Sequence, residues 1–311
     1  MGTEHPYELD NDPNLWLDEI DLLEIESLTP EEAARLEAMI ENDLHDPDLE
    51  PELVAEQAEV SAREGDEHLA QGLVEEAINA YRRMIQADPD SLEAHMRIAD
   101  AYLLADMSFK AVRHYRKAAR SHPRRAEPHF RLGEVYRRYG LLKVAIAEYR
   151  KAVELSPQNP FYRYRLAKTL FEHGEIREAI EQMVLCVQTA HSDAFYHYAL
   201  GDMFARLRRY EEAAHEMHLA TVFAPYDDYY SACLGIMHLH TGSLPKAASA
   251  FRQAIRLNPD NPSYHYLLAD TYRRMGMVKH AAAHYRKAGR LGAYDSVFVR
   301  RVRDEVNRSR E

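Results

Sequence analysis

The sequence predicts an all-α chain, an α-solenoid assembled from helix-turn-helix repeats. Three observations predict it. Alanine recurs at 77, 111, 145, 179, 213, 247 and 281, an interval of 34 residues each time. With that alanine counted as position 20 of a unit, position 8 holds only small residues: Gly65, Ala99, Gly133, Ala167, Gly201, Gly235 and Ala269. Position 24 holds only large ones: Tyr81, Tyr115, Tyr149, Met183, Met217, Phe251 and Tyr285. Small residues at 8 and 20 let two helices approach closely, and the large residue at 24 fills the space between them. One unit cannot bury its apolar face alone, whereas stacked neighbours can.

Each element of the unit has its own signal. The first helix carries an apolar residue at position 7 in six units, with Glu64 in the first, and often a large one at position 11, namely Tyr102, Tyr136, Leu170, Phe204 and Tyr272. Glycine at position 15 (Gly72, Gly140, Gly174, Gly242 and Gly276) suits a helix end where the backbone turns left-handed. Proline at position 32 (Pro89, Pro123, Pro157, Pro225 and Pro259) stops the second helix or starts the next one. The units run 58–91, 92–125, 126–159, 160–193, 194–227, 228–261 and 262–295.

This pattern resembles the tetratricopeptide repeat family over 58–295, with several positions agreeing in seven consecutive units. The resemblance implies a right-handed superhelix whose first helices line a concave groove, with positions 2, 5, 6, 9, 12 and 13 facing inward. Such arrays bind other molecules and rarely carry out chemistry. Position 4, often tryptophan in the family, departs from it: it reads Ser61, His95, His129, Arg163, His197, Ser231 and His265.

The ends read differently from the array. Residues 1–57 hold 19 acidic residues against one basic residue, Arg35, a charge of −18; the chain total is −12, so the remainder carries about +6. Residues 1–28 form an acidic-hydrophobic segment with Leu15, Trp16, Leu17, Ile20, Leu23 and Ile25 set between acids, and Trp16 is the only tryptophan. Three readings stay open for it: a cap over the first repeat, an autoinhibitory or partner-binding peptide, or plain disorder. Residues 29–57 form a helical extension, in which Thr29-Pro30-Glu31-Glu32 starts a helix to about Leu44 and Pro51 opens the next. At the other end, 296–311 reads as an amphipathic capping helix with Val297, Phe298, Val302 and Val306 on its apolar side.

In the register implied by the resemblance, arginine takes inward position 6 four times: Arg63, Arg97, Arg131 and Arg165. The first three have acids four residues before (Glu59, Glu93, Glu127) and three residues after (Asp66, Asp100, Glu134), which neutralise them locally. In repeat 4, Phe161 and Lys168 replace those acids, leaving Arg165 uncompensated within its helix. Arg137, Arg138 and Arg206 are nearby inward basic positions, and Phe130, Tyr164, Phe171, Phe195, Tyr198 and Tyr229 interleave with them. Arginine and tyrosine are favoured in binding hot spots. The candidate ligand groove is therefore Phe130, Arg131, Arg137, Arg138, Phe161, Tyr164, Arg165, Lys168, Phe195, Tyr198 and Arg206. Some tetratricopeptide proteins clamp a chaperone's C-terminal carboxylate with groove asparagines; Asp66, Asp100 and Glu134 stand at those places here, which disfavours that ligand.

Enzymatic readings find little purchase. Nine of the twelve glycines occupy positions 8 or 15, and neither a phosphate loop nor a nucleophile elbow is present. His215-Glu216-Met217-His218 has the wrong spacing for a zinc protease and lacks a third ligand. The expectation is a non-enzymatic protein-interaction scaffold or adaptor with no cofactor and no metal, taking an acidic-hydrophobic protein segment in its groove. Two alternatives are a self-assembling or autoinhibited regulator whose residues 12–28 enter the groove, and an RNA-binding repeat protein. With only Cys186 and Cys233 and no apolar run of about 18 residues, the expected compartment is the cytoplasm.

Overall fold

The computed structural model describes residues 51–292, with side chains described from Glu56 onward. The proposed helix from Thr29, the acidic segment 1–28 and the terminal helix at 296–311 lie outside the described residues. Among the described residues there are fourteen helices and no strand. They form seven antiparallel pairs: α1 Pro51–Ala70 with α2 Val74–Ala87, α3 Leu92–Leu104 with α4 Ser108–Ser121, α5 Ala126–Arg138 with α6 Leu142–Leu155, α7 Pro160–His173 with α8 Ile176–Thr189, α9 Ala194–Arg206 with α10 Tyr210–Phe223, α11 Asp228–His240 with α12 Leu244–Leu257, and α13 Pro262–Arg274 with α14 Val278–Leu291. Pro51 opens its helix as expected. The described residues fall into two compact units divided between Pro157 and Gln158, where the sequence alone suggests one uninterrupted array.

Five of the seven first helices start on side-chain caps. Ser91, Asn159, Asp193, Asp227 and Asn261, at position 34 of the preceding repeat, each accept a hydrogen bond from a backbone N–H of the helix's first turn. Each first helix then ends in a left-handed residue at position 15, and the N–H of position 16 donates back to the carbonyl of position 11. That bond is present in all seven pairs, from Leu73 to His68 at 2.8 Å through Met277 to Tyr272 at 2.9 Å. The five glycines predicted for position 15 all have positive φ, between 74° and 96°. In the other two pairs Asp106 (φ 60°) and Arg208 (φ 61°) hold the same conformation.

The core repeats with the sequence. The alanines at position 20 are buried, as are the rings of Tyr81, Tyr115, Tyr149 and Phe251 at position 24. Position 8 lies directly against them. A Cβ on Gly133 would come within 2.6 Å of the Tyr149 ring, and one on Gly235 within 2.6 Å of Phe251. The buried frame thus consists of positions 7, 8, 11, 20, 24 and 27, which leaves the first helices' other faces to vary.

Candidate functional site

In the first unit the variable face is a charged ladder. Arg97 on α3 pairs with Glu93 one turn earlier at 2.8 Å and with Asp66 of the preceding repeat. Arg131 on α5 sits between Asp100 at 3.7 Å and Glu127 at 3.9 Å. Arg63 pairs with Glu59 at 3.4 Å. Asp66 and Asp100 at position 9 therefore bridge forward to the next repeat's arginine, where the sequence suggested the arginine three residues back. Each acid also accepts a hydroxyl from its own repeat: Tyr81 donates to Asp66 at 2.7 Å, Tyr115 to Asp100 and Tyr149 to Glu134. Burial opposes ionisation of Asp66, but the hydrogen bonds from Arg97 and Tyr81 outweigh it and hold the carboxyl below its usual range. Burial and that carboxylate push Tyr81 up to about 12.

The second unit carries aromatic rings on the same face. Position 2 reads Glu59, Glu93 and Glu127 in the first three repeats, then Phe161, Phe195 and Tyr229. These three rings occupy the first turns of α7, α9 and α11 and are 46%, 40% and 47% exposed. Position 5 of one repeat meets position 2 of the next. Tyr164 packs edge-on against Phe195 at 5.1 Å, and Tyr198 packs edge-on against Tyr229 at 5.6 Å with their hydroxyls 3.0 Å apart. Tyr196 lies 5.4 Å from Phe195, and Tyr230 lies 5.3 Å from Tyr198, widening the row. Cys233 is buried at position 6 of α11; burial pushes its thiol up to about 12, so it is protonated and unreactive at neutral pH.

The structure sorts the predicted site residues. Phe161, Tyr164, Phe195 and Tyr198 fall in the second unit's aromatic row. Lys168 lies half-buried on α7, two turns past Phe161, and Arg165 lies between them. Arg165 is not left without a partner, which corrects the uncompensated guanidinium read from its helix neighbours. Arg206 is exposed and paired with Asp202 at 2.8 Å, two turns beyond Tyr198. In the first unit, Phe130 is buried with its ring 5.8 Å from Tyr149, Arg131 belongs to the ladder, and Arg137 and Arg138 close the last turn of α5. Tyr229, expected among the aromatics interleaved with the arginines, joins the row, and Tyr196 and Tyr230, which were not among the predicted residues, widen it.

The position 4 histidines have structural work. His95, His197 and His265 each place Nε2 about 3 Å from the carbonyl at position 32 of the preceding repeat, on Pro89, His191 and Pro259. Their Nδ1 atoms face position 23 of their own repeat: His114 at 2.9 Å, Glu216 at 2.8 Å and His284 at 3.0 Å. His129 likewise meets Glu148 at 2.6 Å, and Arg163 reaches Gln182 at 2.9 Å. Glu216 is thus committed to His197, while His215 and His218 point to solvent. Among the described residues no group of three or more His, Cys, Asp or Glu gathers as metal ligands would.

Two open cavities lie elsewhere. One, of about 600 Å³, is in the first unit beside Ser91, Met96, Arg97 and Arg125; the other, of about 340 Å³, lies between α10, α11 and α12 beside Ser231, His238 and Lys246. Neither includes Phe195 or Tyr229. No helix among the described residues is long and apolar enough to cross a membrane.

The chain matches the family profile described as tetratricopeptide repeat over residues 63–106, 110–160 and 164–227, and that described as TPR repeat over 237–276. It belongs to the tetratricopeptide repeat family. Among similar solved structures is that of Pseudomonas aeruginosa pilF, 20% identical, covering 72% of this chain and 98% of that one with a TM-score of 0.52. Another is YrrB, described as a TPR protein with an unusual peptide-binding site, 19% identical, covering 61% and 97% with a TM-score of 0.50. At these identities the likeness is one of fold. No curated protein matches the chain by sequence. Where many tetratricopeptide repeats have tryptophan at position 4, this chain uses the histidine and arginine links just described.

Proposed function

We propose that this tetratricopeptide protein is a non-enzymatic interaction scaffold, and that the aromatic row of its second unit receives an acidic-hydrophobic segment of a partner protein. One observation carries the reading: three consecutive repeats present a 40–47% exposed ring at position 2, each of the last two in edge contact with the ring behind it. Rings held in contact lose little side-chain entropy on binding, and aromatic anchors dominate interface energetics. Arg165 and Lys168 supply positive charge on α7 for the segment's acids. The contact residues proposed are Phe161, Tyr164, Arg165, Lys168, Phe195, Tyr198 and Tyr229. Phe130, Arg131, Arg137, Arg138 and Arg206 are left out, because burial, ladder pairing or distance along the helix sets them apart.

The test is fluorescence anisotropy with labelled acidic peptides bearing leucine and aromatic residues. Full-length chain should bind them, and Phe195→Ala with Tyr229→Ala should weaken binding at least tenfold while helicity is unchanged. Arg97→Ala with Arg131→Ala should change it less than about threefold. Equal losses in both double variants, or steeply salt-dependent binding of single-stranded RNA in place of peptide, would refute the reading.

A further inference from the structure

We infer that the second unit holds a further binding site, a pocket for a small organic oxyanion in the cavity between α10, α11 and α12. On α11 it uses positions 4, 7 and 11, apart from positions 2 and 5 that carry the aromatic row.

The cavity exists because repeat 6 lacks a link that its unit builds at the same place in every other repeat. Position 4 reaches position 23 as Arg163 with Gln182 in repeat 4, His197 with Glu216 in repeat 5, and His265 with His284 in repeat 7. In repeat 6 these positions hold Ser231 and Ala250, whose short side chains leave the space open. Position 11, which is Leu170, Phe204 or Tyr272 in those repeats, is His238 here. His197 and His265 also bond the carbonyl at position 32 of the repeat before. In repeat 6 that residue is Pro225, which lines the cavity and has no imidazole to receive, since Ser231 donates to the carbonyl of Asp227 at 3.4 Å. The space left, about 340 Å³, is that of a small-ligand pocket.

The walls favour an anion. Lys246, Ser249, Ala250 and Gln253 share one face of α12, and Ser231, Leu234 and His238 share one face of α11. α10 adds Thr221, with exposed His218 one turn before it. No carboxylate lines the cavity. Of the acids on these elements, Asp227 accepts from the Tyr230 N–H, Asp228 from Asn258 and Tyr264, and Glu216 faces His197. Glu211 and Glu212 stand on the first turn of α10, about ten residues or roughly 15 Å before Thr221. Lys246 makes no ion pair with any described residue. Burial, and then the charges of Lys246 and His218, hold His238 below its ordinary value, so an anion seated among the three relieves their repulsion. Its oxygens accept from the ammonium, the imidazole and the Ser249 hydroxyl, and its organic part meets Leu234, Ala250 and Pro225. Repeat 1 has the same small pair, Ser61 and Ala80, with His68 at position 11, but Glu76 stands where Lys246 does and Arg83 is paired with Glu64. The ammonium that recognises the anion is missing there.

The test is isothermal titration calorimetry of the full-length chain with phenyl phosphate, benzoate and phenol. At least one of the two anions should bind with a Kd of about 1 mM or tighter, and neutral phenol should not. Preference for phenyl phosphate identifies a phosphorylated ligand, and preference for benzoate a carboxylate. Lys246→Gln with His238→Gln should weaken anion binding about tenfold or more. Ser231→His with Ala250→Glu rebuilds inside the cavity the His–Glu link of repeats 3 and 5, and should abolish binding with circular dichroism unchanged. Lys246→Gln alone, at an exposed position, gives the same direction of change without risk to the fold. Arg97→Ala with Arg131→Ala, in the other unit, should alter the Kd less than about twofold. Absence of millimolar binding by both anions overturns the inference. So does binding that persists in the folded, filled variant, or that falls equally in the Arg97 and Arg131 variant. Cavity and aromatic row share no residue, so Phe195→Ala with Tyr229→Ala should leave anion binding intact, and each reading fails by its own titration.

Discussion

The two units use one frame to present opposite surfaces. In the first, contacts between consecutive first helices are ion pairs, Asp66 with Arg97 and Asp100 with Arg131. In the second, contacts with the same 31-residue separation are ring pairs, Tyr164 with Phe195 and Tyr198 with Tyr229. The buried positions are alike in both: alanine at 20, a small residue at 8, a large one at 24. Since one core supports either surface, the face chemistry is not required by the fold. Exposed ion pairs of the ladder kind contribute roughly 0–1 kcal/mol each, so the first unit's face is close to self-neutralised, whereas rings 40–47% exposed have apolar area still to bury.

The comparison is broken most severely by moving one unit's residue into the other. Phe195→Glu with Tyr229→Glu installs the first unit's position 2 residue in the second. Peptide binding, followed by anisotropy, should fall at least a hundredfold, with urea stability changed by no more than about 1 kcal/mol because both sites are exposed. A next-smaller effect lies beneath the ladder. Asp100→Ala removes the acceptor of the buried Tyr115 hydroxyl as well as the partner of Arg131, and should cost about 1–3 kcal/mol by urea unfolding. Arg131→Ala should cost less than about 1 kcal/mol.

The histidine links cut across the two units, with one His–His and one His–Glu pair in each, and they sharpen the comparison by pH. Pro89's carbonyl can only accept, so His95 carries its proton on Nε2 and its Nδ1 accepts from His114. Protonating that pair sets two cations together in a buried site. Burial first, and then the charge of His95, Arg113 and Arg82, pushes His114 down to about 3. An unfolded histidine titrates near 6.5, so the stability His114 contributes is complete above that pH and is lost as pH falls toward 3. Between pH 6.5 and 5 the loss is about 2 kcal/mol through this ring. His114→Glu recreates the His–Glu pairs of repeats 3 and 5 and should abolish that part of the acid sensitivity in thermal unfolding at a series of pH values. The smallest effect expected is at position 15. Arg208→Gly relieves a left-handed non-glycine residue in the second unit and should stabilise it by about 1 kcal/mol, while Asp106→Gly in the first should give less, because aspartate tolerates that conformation better.

Much of this was legible in the sequence because period and size are enough to specify close-packed helices. Gly72 or Ala77 can be assigned a place from spacing alone, since only one arrangement repeats every 34 residues. The surface was less legible. Asp66 lies three residues from Arg63 in the chain, and only the stacking of repeats brings Arg97 to it. The histidines at position 4 read as missing tryptophans, because their partners are six residues behind and 19 ahead, separations that no single helix displays. Arg165 looked exceptional by the same helix-bound reckoning. The aromatic row, by contrast, was largely visible: Phe161, Tyr164, Phe195, Tyr198 and Tyr229 were in view, while the turn from glutamate to aromatic at position 2 emerges only when the repeats are compared column by column.

The 31-residue contacts have one more consequence. They join position 9 to position 6, or position 5 to position 2, always across two repeats. The binding character proposed for this molecule therefore belongs to the joints between neighbouring repeats. A single repeat carried from the second unit into a different array would bring Phe195 without Tyr164 and Tyr198 without Tyr229, and so only half of each ring pair. The smallest transplantable piece of the proposed binding face is a pair of neighbours.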